Sequence, residues 1–184
     1  CARHPGTLAA MREVIPLSER KVDWIFLGFF LINFTFITYI VDVEQLIIAD
    51  PYDFEYPLWP PPPLVDLVHW WGNNFDPLLM ARPAWWRATI WIDSLLFGPF
   101  YAAALYAFVK GKEWIRIPCF VWAGLMFANV NIICMEELVG SFPTPNRPVV
   151  LLANLPWWSF PMLLTWRMAK EHPFTREPTK AVAR

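Results

Sequence analysis

Residues 24–41 read WIFLGFFLINFTFITYIV, a stretch without a single charged side chain. A helix rises 1.5 Å per residue, so this stretch is long enough to cross most of the roughly 30 Å of hydrocarbon in a bilayer. Comparable apolar stretches lie at 84–109, 117–135 and 148–166. None alternates with the period of two that a membrane barrel needs. The sequence therefore predicts an all-α membrane protein, a bundle of four transmembrane helices.

The composition agrees with this class and excludes others. Hydrophobic residues make up 57% of the 184 residues and charged residues 17%, whereas soluble domains are nearer roughly 45–50% apolar and 25% charged. The formal net charge is −1, and no basic run suggests a nucleic-acid partner. The three histidines lie outside the apolar stretches, and no spacing matches a metal site, a phosphate loop or a nucleophile elbow. We therefore predict no metal and no cofactor.

A long loop, residues 50–83, separates the first two helices and contains the run WPPPP at 59–63. Prolines remove backbone donors and favour extended backbone, so this loop is expected to be a rigid lid outside the lipid. A short interfacial helix is predicted at 64–75. Of the 15 Lys and Arg residues, 12 lie in the N-terminal tail, the second connection and the C-terminal tail. The positive-inside rule then puts both termini on the cytoplasmic side.

Polar side chains recur at one depth in the predicted bundle. Asp93 lies about 13 Å along the second helix from Ala84, where an unpaired carboxylate is costly and marks a candidate functional site. Asp42 lies near the far end of the first helix, which is expected to continue to Ile48. The amides that reach similar depth on the third and fourth helices are Asn129 or Asn131, and Asn154. All of these side chains are expected to point inward.

Two neighbouring carboxyl groups do not both ionise cheaply, so they share a proton and their remaining charge attracts a cation. In a cavity walled by Trp91, Trp122, Trp157 and Trp158 such a pair would suit a hydrophobic amine or a flat sterol-like body, with cation–π contact to an indole. The alternative is a polar network that only locks the helices together. Asp76, which precedes a proline, is expected to be a structural turn or cap residue.

Several local motifs together resemble the EXPERA membrane family. They are Phe75-Asp76-Pro77-Leu78-Leu79, Pro83-Ala84-Trp85-Trp86, Asp93 with Pro99-Phe100 and Tyr106-Ala107-Phe108, and Lys110-Gly111 with Trp114-Ile115-Arg116 and Pro118. The likeness is strongest to the sigma-2 receptor branch and more distant to emopamil-binding protein, the sterol Δ8–Δ7 isomerase. It covers most of residues 24–172 and is weak in the first loop, where the proline run looks like an insertion.

The resemblance implies a site and a domain division. In the sigma-2 branch, a carboxylate ending the first helix and another in the second helix share a ligand cavity, and these correspond to Asp42 and Asp93. Asn129 or Asn154 would orient the ligand. Residues 22–172 would form the four-helix membrane domain, between a basic N-terminal tail, 1–21, and a C-terminal tail, 173–184. Because the chain opens with Cys1, we expect a processed or incomplete N-terminus.

One departure bears on catalysis. The isomerases carry a histidine one turn before the acid on the equivalent of the first helix, and the turns before Asp42 here, Asn33-Phe34-Thr35-Phe36, contain none. General acid–base work on an unactivated alkene needs a well-placed acid, so this loss argues against an isomerase. The run Asn154-Leu155-Pro156-Trp157 nevertheless echoes an Asn-x-x-Trp arrangement of the isomerase cavity.

Three functions therefore stay open at the level of sequence. The first is a membrane protein that binds a sterol or lipophilic amine; the second is a non-catalytic accessory subunit of a larger membrane complex; the third is a sterol double-bond isomerase. The expected partners are the membrane and a sterol or other lipid, and a homodimer or a larger complex stays open. The resemblance implies the endoplasmic reticulum, and an organelle inner membrane is the alternative.

Overall fold

The computed structural model describes residues 12–178. Within that range four helices are long and apolar enough to cross a membrane: α1, Asp23–Ile47; α4, Ala84–Lys110; α5, Arg116–Val139, which a 3-10 turn at Glu113–Ile115 precedes; and α6, Arg147–Arg167. Two shorter helices, α2, Pro62–Asn74, and α3, Pro77–Ala81, lie in the first loop. The predicted four-helix membrane fold is confirmed. The orientation of the termini stays a prediction.

The helix ends follow local chemistry. Gly111, with φ 63°, ends α4 in the left-handed conformation that glycine adopts without strain. The Asn146 side chain caps α6 and accepts from the Val149 N–H at 3.4 Å. In the first loop the proline run leads directly into α2, because proline is tolerated in the first turn of a helix. The predicted helix at 64–75 is therefore present and begins two residues earlier.

Two stretches of the bundle are π-helical rather than α-helical: Asn33–Asp42 within α1 and Asp93–Phe97 within α4. They face each other where α1 and α4 pack together. Gly98 sets this close approach, because a Cβ there would lie 2.5 Å from the Tyr39 hydroxyl oxygen and 3.1 Å from Thr38 Cγ2. π-helical turns are rare and are often found at functional sites.

Aromatic side chains fill the half of the bundle nearer the tails. Phe29 stacks on Phe160 with ring centroids 4.0 Å apart, and Phe100 stacks on Trp122 at 5.4 Å. These contacts tie α1 to α6 and α4 to α5. Offset and edge-on aromatic pairs stabilise a core beyond the area that they bury. The bundle is therefore most tightly packed on the side away from the first loop.

We call the end of the bundle that carries both tails the tail end, and the end that carries α2 and α3 the loop end. At the tail end a two-stranded antiparallel sheet joins β1, Glu13–Val14, to β2, Thr175–Arg176. Asp23 lies fully buried beside it and accepts hydrogen bonds from Arg20 and Arg167. Residues 1–11 and 179–184 of the two predicted tails, Cys1 included, lie outside the described range.

Gly98→Ala is expected to lower the free energy of unfolding by about 1–3 kcal/mol, because the new methyl group would overlap the Tyr39 phenol and crowd Thr38 Cγ2 on α1. The measurement is the thermal unfolding midpoint of the purified protein in detergent, followed by tryptophan fluorescence. Gly124→Ala is the matched control, since a Cβ at Gly124 meets nothing within 4 Å. Equal effects of the two substitutions would contradict the close approach.

Candidate functional site

A cavity of about 380 Å³ lies between the four spanning helices and beneath the loop helices. This volume falls in the range of small-molecule sites, roughly 300–1,000 Å³. Its walls are mostly apolar and include side chains from α1, α4, α5 and α6, while α2 and α3 close it from the loop end. The cavity is therefore placed at the depth where the sequence concentrates polar side chains.

Asp42 and Asp93 line this cavity side by side. Their exposed fractions are 7% and 9%. Asp42 is the last residue of the π-helical segment of α1, and Asp93 is the first residue of that of α4. The hydroxyl of Thr38, one turn before Asp42, donates to Asp93 Oδ1. Two helices thus bring two carboxyl groups together away from bulk water. Because ionisable side chains inside the membrane are costly, such a pair marks a candidate functional site.

Three other predicted site residues also line the cavity: Asn129, Asn154 and Trp157. Trp157 Nε1 donates to Asn33 Oδ1 at 2.9 Å, which fixes the indole against α1. Asn131, the alternative to Asn129, is not on the cavity; its amide donates to the Phe127 carbonyl at 2.6 Å.

The predicted tryptophan wall needs correction. Trp91 is 51% exposed on the outside of α4, and Trp122, 2% exposed, packs into the aromatic cluster of the tail-end half. Trp158 is partly exposed and also lies off the cavity. Trp91 and Trp158 are close in sequence to cavity residues but point away from the cavity, whereas Trp122 lies nearer the tail end than the cavity does. The cavity is instead lined by Trp71 of α2 and Trp86 of α4, together with Trp157.

A second acidic pair, Asp76 and Glu137, lines the loop end of the cavity. Asp76 is the N-cap of α3 and accepts from the Leu78 N–H at 3.2 Å, as a structural role predicts. Glu137 is 1% exposed and accepts from Asn154 Nδ2 at 3.3 Å. Glu137 was not predicted from the sequence, because a carboxylate near a helix end ordinarily faces solvent. The available signal was the four-residue step from Asn129 to Ile133 and again to Glu137, which keeps neighbouring turns on one broad face of α5.

Burial raises the pKa of Asp76 to about 6, and the hydrogen bonds from the Leu78 N–H and the neighbouring Glu137 offset this only in part. The cause is desolvation, which disfavours the charged form of a carboxyl group. The loop end of the cavity therefore contains a group that titrates near neutral pH, outside the spanning helices.

A buried ion pair holds the loop helices over the cavity. Arg82 follows α3 with φ 47° and donates through Nη2 to both carboxylate oxygens of Glu44 at 2.9 Å. It also donates to the carbonyls of Ile48 and Leu79, at 2.5 and 2.8 Å. His69 of α2 lies 2.8 Å from Glu44 Oε1. The end of α1 and both loop helices are thus joined at one point.

The sequence of the chain matches a known family of membrane proteins. The profile of the EBP family, described as EXPERA (EXPanded EBP superfamily), matches residues 63–168. The chain belongs to the EXPERA family. Within this family it is similar to sigma intracellular receptor 2 from Xenopus tropicalis, with 33% identity over 126 residues, 67% of this chain and 68% of the relative. The predicted family and branch are confirmed.

Two primate relatives give the same result over a shorter match. Sigma intracellular receptor 2 of Macaca fascicularis is 30% identical over 111 residues, and that of Homo sapiens is 30% identical over 110 residues. These matches cover 59% of this chain in both cases, and 58% and 57% of the relatives. The EXPERA segment contains Asp76, Asp93, Glu137 and Asn154 but begins after Asp42. The place of Asp42 in the cavity is therefore known from the structure of this chain.

The unfolding free energy of this EXPERA protein is expected to fall as pH rises from about 4 to about 6. Asp76 binds its proton more tightly when folded than at its ordinary value of 3.8, so its contribution is fully present below pH 4 and lost above pH 6. The size is about 3 kcal/mol at most. Asp76→Asn, which keeps an acceptor for Leu78, should flatten this part of the profile.

Thermal midpoints in detergent between pH 4 and 7 measure this effect. Asp53→Asn, an exposed carboxyl in the same loop, is the control and should follow the wild-type profile. A wild-type midpoint that rises over this interval would contradict the assignment.

Proposed function

We propose that this EXPERA protein binds a sterol or a lipophilic amine in the cavity between its spanning helices. One observation carries the proposal: two acidic side chains, Asp42 and Asp93, meet on the wall of an apolar cavity at membrane depth. A carboxyl pair that holds one proton keeps one negative charge, and in a site without bulk water that charge favours a cation or a hydrogen-bond donor.

The remaining walls suit the apolar part of such a ligand. Indole rings of Trp71, Trp86 and Trp157 face the cavity and offer cation–π contact to an ammonium group. The amides of Asn129 and Asn154 supply polar contacts that would orient a ligand. In this proposal Asp42 provides the counter-charge, and a sterol hydroxyl would take the place of the ammonium by donating to the same carboxylate.

Binding is favoured over double-bond isomerisation by the groups next to Asp42. The residue one turn before it is Thr38, whose hydroxyl has no pKa near neutral pH and is a poor general acid or base. Asn33, further along the same helix, already accepts from Trp157 and donates to the Phe29 carbonyl at 2.8 Å. A proton carrier next to the acid is therefore absent from this stretch of α1.

A second candidate is an accessory subunit of a larger membrane complex. It is favoured by the indoles on the outer faces of the spanning helices, namely Trp24, Trp91, Trp114 and Trp166, each more than half exposed. Such rings contact lipid in a monomer and a neighbour in a complex or homodimer. Ligand binding is preferred because the cavity between the carboxyl pair and the loop helices is not filled by side chains.

The relatives are named intracellular receptors, which supports an internal membrane for this chain. We propose the endoplasmic reticulum, with both termini cytoplasmic. The residue division proposed is a basic tail at 1–21, the membrane domain at 22–172 and a second tail at 173–184.

The test is equilibrium binding of tritiated imipramine, a lipophilic tertiary amine, and of tritiated cholesterol to the purified protein between pH 5 and 9. Wild-type protein should bind at least one of the two saturably. Asp42→Asn and Asp93→Asn should each weaken amine binding at least about tenfold, because each removes part of a desolvated charge pair. Asp53→Asn, exposed in the loop, is the matched control.

Incubation with a Δ8-sterol and analysis of the products separates a binding protein from an isomerase. Conversion by wild type that Asp93→Asn abolishes would replace the binding proposal by the catalytic one. Failure of wild type to bind either probe would overturn both, and purification from native membranes would then test the accessory-subunit candidate.

A further inference from the structure

Thr38 is fully buried in the π-helical segment of α1, at the interface with α4. It is not one of the residues that line the cavity, whereas Asp42 and Asp93 are. Its methyl group lies against Gly98, where only a hydrogen occupies the Cβ position. The close approach at Gly98 therefore brings the Thr38 hydroxyl within reach of the Asp93 side chain.

The direction of this hydroxyl is unusual for a helical threonine. A threonine in a helix commonly returns its hydrogen to the carbonyl four residues earlier. Thr35 does so with the Leu31 carbonyl at 2.7 Å, and Thr165 does so with the Pro161 carbonyl at 2.8 Å. Thr38 instead donates across the interface to Asp93 Oδ1, and within residues 12–178 this is its one side-chain hydrogen bond.

We propose that Thr38 is a positioning residue for the binding site: its hydroxyl holds Asp93 as an acceptor and leaves Asp42 as the carboxyl that meets the ligand. The inference rests on the proposed function, since it assigns different roles to the two carboxyl groups of that site. A hydroxyl has one hydrogen, and here that hydrogen stabilises the charged form of Asp93. Without ligand, the proton shared by the pair is then held by Asp42, from which it can pass to Asp93 when a cation arrives.

Ligand binding neutralises the one negative charge of the pair. When an ammonium ligand arrives at Asp42, the shared proton moves to Asp93 and stays within the pair, so the cation meets the single negative charge that Asp42 then carries. Binding requires a pair that has this charge. Amine binding therefore strengthens as pH rises, and the midpoint of that rise depends on how well the pair is stabilised as an anion. Thr38 supplies part of that stabilisation.

The other titratable groups near the pair are few. Asp42 faces Asp93 from α1, and the fully buried Tyr101 phenol lies on α4 about two turns beyond Asp93. From α5, Glu137 reaches the cavity beside Asp76 of the first loop. The lining residues from α2 and α6 in the described structure carry no ionisable side chain.

The experiment follows the titration of the pair by infrared spectroscopy of the protein labelled with isotopic aspartate, without ligand, and the pH profile of imipramine binding. Thr38→Val, nearly the same shape without the hydroxyl, should move both midpoints upward by about one pH unit, roughly one hydrogen bond to a charged group. Thr38→Ser should restore them. Thr35→Val, an exposed threonine of the same helix, is the matched control and should titrate as wild type.

Each outcome is decisive. Wild-type midpoints in Thr38→Val, or equal shifts in Thr38→Val and Thr38→Ser, would overturn the role of the hydroxyl while leaving the binding proposal intact. A shifted infrared midpoint in a protein that binds neither probe would support the contact between Thr38 and Asp93 and overturn the proposed function instead.

Discussion

Hydrocarbon offers no hydrogen-bond partner, and this constraint accounts for most of what is polar in the structure. Every strongly polar side chain deep in the spanning helices either turns inward or is bonded to its own backbone. Asp42 and Asp93 meet each other, and Asn131 returns its amide to the Phe127 carbonyl. At this depth the cavity wall gathers polar side chains from four elements, namely Asp42, Asp93, Asn129 and Asn154. The position of the candidate site thus reflects the exclusion of polar groups from hydrocarbon as much as the packing of the helices.

The two ends of the bundle solve the problem of buried charge differently. At the tail end Asp23 is shared by Arg20 and Arg167, and the Phe174 ring lies 5.0 and 5.2 Å from their guanidinium carbons. Both carboxylate oxygens of Asp23 accept hydrogen bonds, and the cluster packs against the aromatic core. At the loop end Glu44 is bonded by Arg82 and contacts His69, but Glu137 and Asp76 remain on the cavity. Buried carboxylates are therefore paired within the protein at the tail end, whereas two acidic side chains at the loop end still line the cavity.

Most of the fold could be predicted from the sequence, because apolar length is a local property. The four spans, the loop helix and the cap role of Asp76 all depend on a few consecutive residues. The depth of Asp42, Asp93, Asn129 and Asn154 also follows from counting residues along a helix. Direction around the helix does not, since each residue turns it by about 100° and a π-helical turn changes that angle. Trp91 was misplaced, and Thr38 and Glu137 missed, for this reason, whereas Trp122 lies nearer the tail end than the cavity.

The cluster at the tail end has a consequence for how the chain matures. Asp23 lies at the start of the first span, whereas Arg167 and Phe174 come from the end of the last span and beyond, and Arg167 is 144 positions after Asp23. During synthesis Asp23 therefore has Arg20 as a partner but lacks Arg167 until the fourth span has been made. The helices can enter the bilayer one by one, but the tail-end contact between the first and fourth spans forms only after both are present.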